Sequence, residues 1–124
     1  MATAKDKEIK IVALPGGITE AQLAAWKKEH NYKEQGDVFT VEVDVNGDGK
    51  DIKTAWFHKP GLDEFGRATT LATKDDFMGA GNVLFESTYL GGDPEVRNNP
   101  EYKASCFATL LQRFKIRKAV VKNW

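Results

Sequence analysis

The chain has 124 residues, of which 41% are hydrophobic and 29% are charged, a balance typical of one globular domain. Its 18 basic and 18 acidic residues cancel, which argues against a non-specific nucleic-acid binder because such proteins carry excess positive charge. One cysteine excludes an intrachain disulfide, and no apolar run approaches the ~20 residues that span a membrane. We therefore expect a single domain over residues 1–124 of a cytoplasmic protein that binds neither membranes nor nucleic acid.

The first predicted elements are a strand and a helix. Residues 1–8 are polar and predict a flexible terminus, and the apolar run at residues 9–14 predicts a strand that a Pro-Gly-Gly turn ends. Thr19 and Gln22 then form a capping-box pattern, in which each side chain bonds the other residue's main chain. This pattern predicts a helix over residues 20–29.

Two segments with a two-residue alternation follow, at residues 38–45 and 52–59. In the first segment Phe39, Val41 and Val43 share one side, as in a strand that buries one face. An Asn-Gly-Asp-Gly cluster separates the two segments, and Asn-Gly and Asp-Gly are strong turn signals because both tolerate positive φ. The pattern predicts a β-hairpin.

The apolar spacing becomes helical in the second half of the chain. Residues 62–72 fit one helix, Asp75 or Asp76 caps a second helix that reaches Tyr89, and Asn99 before a proline begins a third. Strands first and helices second predict an α+β fold. We expect a small antiparallel sheet, made of the N-terminal strand plus the hairpin, with one N-terminal helix and a C-terminal group of helices.

The turn segment at residues 44–49, DVNGDG, is similar to the opening of a calcium-binding loop. Such a loop needs oxygen ligands at positions one, three and five, glycine at six and a bidentate glutamate at twelve. Ala55 occupies position twelve, and the flanking segments are strand-like rather than helical. We expect a hairpin turn with no functional metal, and weak cation binding by Asp44, Asp48 and Asp51 stays open.

Three side chains, Asp44, His58 and Cys106, could in principle serve a small enzyme or ligand binder. A catalytic thiol needs an adjacent base, but Cys106 lies mid-helix among apolar residues, where a buried inert thiol is usual. The second histidine, His30, has no recognised metal-ligand spacing to His58. We expect a non-enzymatic protein without a cofactor, with an enzyme or ligand binder using His58 and Cys106 as an alternative.

The aromatic residues indicate protein binding. Trp56 and Phe57 are neighbours on one predicted strand, so their side chains point to opposite faces, and whichever face stays uncovered would be a binding patch. The hairpin edge could also accept a partner strand by main-chain pairing. A basic tail at residues 115–124 ends on a tryptophan. The predicted protein-binding residues are Trp26, Trp56, Phe57, Tyr89, Leu90 and Trp124.

Several segments, taken in order, resemble a family of small proteins encoded in tailed-phage and prophage structural gene regions. They are AWKKEH at residues 25–30, the strand at 38–43, WFHKP at 56–60, VLFE at 83–86 and YLGGDPEV at 89–96. The resemblance spans residues 20–115 and implies a tail assembly chaperone, which shields the helical tape-measure protein until the tail tube polymerises. It implies a partner among phage tail or capsid proteins, in the cytoplasm of a bacterial host. A virion component, capsid- or tail-associated, is the alternative, and a homo-oligomer is compatible with both.

Overall fold

The computed structural model describes residues 13–116 and 120–124. The α+β class is confirmed within these ranges, and no helix there is long and apolar enough to cross a membrane. The predicted flexible terminus at residues 1–8 and most of the first predicted strand lie outside the described residues. The elements are β1 (Ala13–Leu14), β2 (Ile18–Thr19), α1 (Glu20–Glu29), β3 (Val38–Asp44), β4 (Ile52–His58), α2 (Leu62–Thr73), α3 (Phe77–Thr88), β5 (Tyr89–Gly92), α4 (Pro94–Asn98) and α5 (Pro100–Arg113).

The main sheet has the strand order β3-β4-β5, and both pairings are antiparallel. Its third strand is therefore β5 and not the N-terminal strand, which pairs with β2 in a separate two-stranded sheet. A tight turn at Pro15–Gly17, with positive φ at Gly16, returns the chain so that β1 meets β2. Gly92 lets β5 approach β4 closely, because a Cβ there would collide with the main chain of Thr54 and Ala55. Gly91 and Gly92 are thus part of a strand.

The predicted hairpin is confirmed, with β3 and β4 paired over seven residues in an unbroken register. Its loop is closed by carboxylates acting on the loop's own amides. Asp44 accepts hydrogen bonds from the N–H groups of Gly47 at 3.1 Å and Gly49 at 2.9 Å. Asp48 accepts one from the N–H of Lys50 at 2.9 Å. These bonds are those of a side-chain-stabilised turn, as the sequence predicts.

Helix α1 has the predicted limits because its capping box is formed. The Thr19 hydroxyl accepts from the N–H of Gln22 at 3.1 Å, and the Gln22 side chain accepts from the N–H of Thr19 at 2.9 Å. The helix buries none of its residues fully. It lies on the outer face of the sheet, where the Trp26 ring packs against the Trp56 ring with 6.1 Å between centroids.

Helices α2–α5 cover the inner face of the sheet. Phe57 lies at the centre of this layer, fully buried, with the rings of Phe85 and Phe39 at 5.2 and 5.8 Å. Helix α3 passes so close to α5 at Gly81 that a Cβ there would collide with Phe107. The core is therefore made by α3 and α5 packing against each other and against β4.

Two helices differ in detail from the prediction. Helix α2 buries Ala68 and Ala72 rather than Leu62, which is 86% exposed. Helix α3 begins after Asp76, whose carboxylate accepts from the N–H of the third residue of the helix, and it ends before Tyr89. The Tyr89 N–H still donates to the carbonyl of Phe85, but its backbone is extended and begins β5, which pairs with β4.

Candidate functional site

Trp56 and Phe57 do point to opposite faces of β4, but both faces are covered. Trp56 is 7% exposed, lies under Trp26 of α1, and donates from its indole N–H to the carbonyl of Pro15 at 2.8 Å. Phe57 is fully buried under Phe85. The expectation that one of the pair forms an exposed patch is therefore corrected, because a peripheral helix covers the outer face and the helical layer covers the inner face.

The other predicted contact residues differ widely in exposure. Trp26, Tyr89 and Leu90 are half-buried, whereas Trp124 is fully exposed together with Val121. The Tyr89 ring stacks on the core phenylalanine of α3, and burial raises the pKa of its hydroxyl. The six residues do not form one surface, since they divide between the two faces of the sheet and the tail.

His58 and Cys106 lie in different environments. The His58 ring stacks on His30 at 4.8 Å between centroids, and its Nδ1 lies 3.0 Å from the Tyr32 hydroxyl. Burial lowers the pKa of His58 and raises the pKa of Cys106 to about 11. Cys106 is part of the apolar core, and its protonated thiol is a poor nucleophile at neutral pH. The thiol–imidazole pairing is thus corrected: within the described residues no hydrogen bond joins these two side chains.

Carboxylates and histidines do not gather into a recognisable metal centre in the described part of the chain. No group of three or more His, Cys, Asp or Glu side chains there is placed to hold a metal ion. Asp44 and Asp48 instead accept the loop amides of the hairpin turn. Weak cation binding by these residues and Asp51 stays a prediction.

An apolar groove runs along the α2–α3 helical hairpin. A short turn, residues 74–76, joins the two helices, so they run antiparallel. The groove has a volume of about 620 Å³. A Cβ added at Gly66 would meet nothing within 4 Å, so the floor is open at that position. The residues that line it include Leu62, Asp63, Gly66, Arg67, Leu71 and Val83.

Further apolar side chains lie exposed at the turn end of the same hairpin. Phe77 is 54% exposed and Met78 is 61% exposed, in the first turn of α3. They lie at the end of the hairpin opposite to Leu62, which begins α2. We therefore use the name hairpin surface for the α2–α3 groove with its exposed lining residue Leu62. An apolar groove that is open to solvent is a candidate binding site.

Sequence reasoning missed the hairpin surface because the apolar spacing over residues 62–72 predicts a helix without saying which of its sides is packed. The available signal was the pair Ala68 and Ala72, one helical turn apart, which mark a close helix–helix contact. Leu62 lies about 120° around the helix from Ala68, at 100° per residue. A helical wheel whose buried side is centred on Ala68 and Ala72 places Leu62 outside that buried side.

Comparison with protein-family models, with curated proteins and with solved structures finds no match to this chain.

Proposed function

We propose that this protein is a non-enzymatic protein-binding module of phage particle assembly, similar in role to the tail assembly chaperones that it resembles. The observation that carries the proposal is the hairpin surface, where Leu62 is 86% exposed beside a groove of about 620 Å³. An apolar groove along a helical hairpin can take an apolar helix, whose side chains three and four residues apart would lie in the groove. A helical tail protein that must be kept from self-association is a partner with such a helix.

The chemistry of the titratable groups supports a binding role over an enzymatic one. The single thiol lies in the apolar core with its pKa raised to about 11. The His58 ring stacks on the His30 ring, and its Nδ1 lies within hydrogen-bonding distance of the Tyr32 hydroxyl. A catalytic base and nucleophile should instead meet within hydrogen-bond reach in a concave site.

The test is affinity purification of the tagged protein from phage-infected cells, with mass spectrometry of the co-purifying proteins. Wild type is compared with Leu62→Ser, and Val121→Ser is the matched control because both side chains are 86% exposed. We expect a long helical tail protein in the soluble fraction with wild type and with Val121→Ser. Loss of most of this partner with Leu62→Ser, at unchanged thermal stability, would place the contact on the hairpin surface.

The other outcomes identify other functions. Recovery only in sedimenting particles, beside shell or tube subunits, would make the protein a virion component and overturn the chaperone role. Loss with Val121→Ser but not with Leu62→Ser would move the contact to the tail that carries Trp124. Absence of any protein partner in both fractions would overturn the binding function itself.

A further inference from the structure

The first strand of the main sheet, β3, has one side paired and one side open. The sheet order β3-β4-β5 makes β3 an edge strand, and no other strand within residues 13–116 and 120–124 pairs with it. It runs for seven residues, Val38–Asp44, and pairs with β4 without a register shift. Natural sheets usually protect such an edge with a bulge, a proline, a very short strand or charged side chains. This edge has no bulge and no proline, and its charged side chains are Glu42 and Asp44, on the exposed face.

Two main-chain hydrogen bonds fix which residues of β3 face β4. The N–H of Lys59 donates to the carbonyl of Asp37 at 2.9 Å, and the N–H of Val45 donates to the carbonyl of Asp51 at 3.0 Å. Both pairs continue the β3–β4 register at its two ends. Hydrogen-bonded and non-hydrogen-bonded pairs alternate along an antiparallel ladder. The odd-numbered residues of β3 therefore direct their main-chain groups at β4.

The even-numbered residues direct their N–H and C=O groups away from the sheet. Thr40 and Glu42, in the middle of the strand, are exposed. The unpaired N–H and C=O groups of Thr40 and Glu42 are spaced as in any edge strand, and such a row of groups can pair with an added strand. The edge can thus supply a regular ladder of hydrogen bonds to an extended segment.

A groove lies between this open edge and helix α5, with a volume of about 510 Å³. Phe39 and Val41 form its strand side, and they are the side chains that β3 turns toward the core. Gln112, Arg113 and Lys115 line its helix side. A segment added to β3 would direct every second side chain into this groove.

The charge of the groove selects the segment. The charged side chains that line it, Arg113 and Lys115, are both basic. Arg113 is held in place, since its guanidinium lies 4.0 Å from the Phe39 ring centroid and donates one hydrogen bond to the carbonyl of Gly36 at 3.0 Å. A guanidinium has five N–H donors, so donors remain for a carboxylate. On the opposite face Glu42 is exposed and would repel an acidic side chain placed there.

The geometry points to a second protein-binding site, separate from the hairpin surface, in which the β3 edge and α5 take an extended segment of another protein. The segment adds a fourth strand beside β3. Its groove-facing side chains are apolar with one carboxylate, which pairs with Arg113 and Lys115, and its solvent-facing side chains are neutral or basic. Main-chain hydrogen bonds to β3 supply affinity, and Arg113 and Lys115 favour segments that carry a carboxylate at the groove-facing position.

The probe is a fluorescein-labelled peptide, acetyl-TVKVTETVK-amide, followed by fluorescence anisotropy on the whole protein. We expect saturable binding that weakens when the glutamate of the peptide is replaced by glutamine. Two N-methylated peptides, methylated at even or at odd positions, are the matched controls. Only one of them should bind, because alternate N–H groups of an added strand face its neighbour.

Protein variants locate the site. Thr40→Pro removes one N–H group of the open edge. It should weaken peptide binding about tenfold, because one main-chain hydrogen bond to the peptide is lost. Thr40→Val keeps that N–H and should bind like wild type. Lys115→Gln leaves β3 intact and should weaken binding of the glutamate peptide but not of the glutamine peptide. Leu62→Ser should bind the peptide normally, which separates this site from the proposed function.

Amide hydrogen exchange gives a readout that does not depend on these substitutions. Bound peptide should slow exchange at the N–H groups of Thr40 and Glu42 more than at the loop amides of Gly47 and Gly49. No binding by wild type, equal binding by Thr40→Pro, or equal binding of both N-methylated peptides would overturn the proposal.

Discussion

At the residue scale, two helical glycines with the same local conformation have opposite surroundings. A Cβ at Gly81 would collide with the side chain of Phe107 and lie 3.1 Å from its Cα, whereas a Cβ at Gly66 would meet nothing within 4 Å. Both positions gain helix propensity from alanine. The sign of the effect on stability therefore depends only on the neighbouring helix.

We expect Gly81→Ala to lower the free energy of unfolding by roughly 1–3 kcal/mol, because α3 and α5 must move apart. Gly66→Ala should raise it by about 0.5–1 kcal/mol, since alanine favours the helix and nothing is displaced. Urea unfolding followed by circular dichroism measures both. Two alanine variants that change stability in the same direction would show that α3 and α5 do not pack as closely as the structure has them.

At the element scale, α1 is the least embedded of the long helices. It buries no residue fully, and the Trp26–Trp56 and His30–His58 ring contacts hold it to the sheet. A short helix is marginal without tertiary packing, so its N-terminal cap carries an unusual share of its stability. That cap is the reciprocal pair of bonds between Thr19 and Gln22.

We expect Thr19→Ala to destabilise α1 by roughly 1 kcal/mol, the usual cost of losing an N-cap side chain. Because α1 lies outside the core, the effect should appear as faster amide exchange within Glu20–Glu29, with little change in β4. Thr73→Ala is the control, since the Thr73 hydroxyl bonds back to the carbonyl of Thr69 inside its own helix. Equal acceleration in α1 and β4 would show that α1 unfolds only with the whole domain.

Elements with local signals were predictable from the sequence. The limits of α1 follow from Thr19, the start of α5 follows from Asn99, and the hairpin follows from alternation and turn residues. Strand β5 was missed because its pairing with β4 spans some 35 residues of sequence, and glycines predict a break when taken alone. The hairpin surface was missed for a different reason, because the local signal in Ala68 and Ala72, which mark the packed side of α2, was not used.

At the scale of the whole molecule, the outer helix and the sheet meet at a cluster of titratable side chains. His58 ends the central strand β4, His30 caps α1 on the outer side, and Tyr32 lies in the connection that follows. Lys59, Asp37 and Glu64 are charged neighbours of this cluster, and the lysine ammonium lies over the Tyr32 ring. The protonation of His58 therefore acts on the contact between the outer helix and the sheet.

Burial lowers the pKa of His58 below its ordinary 6.5, and the nearby His30 acts in the same direction. A base with a lowered pKa in the folded state binds its proton more readily when unfolded, so acid favours unfolding. The contribution of His58 is thus fully present above about pH 6.5 and declines as the pH falls toward the lowered value. The hydrogen bond to Lys103 lowers the pKa of Glu86 below its ordinary 4.5. The contribution of Glu86 to stability is therefore present above pH 4.5 and is lost as the pH falls below that value.

The two pH windows are separable by thermal melting between pH 7.5 and 3.5. Wild type should lose melting temperature as the pH falls below 6.5, and His58→Gln should flatten that part of the profile because glutamine does not titrate. Glu86→Gln should leave it unchanged and flatten the profile only below pH 4.5, where the ion pairs with Lys103 and Arg97 are lost. A full wild-type decline below pH 6.5 in His58→Gln would mean that a group other than His58 sets the response to mild acid.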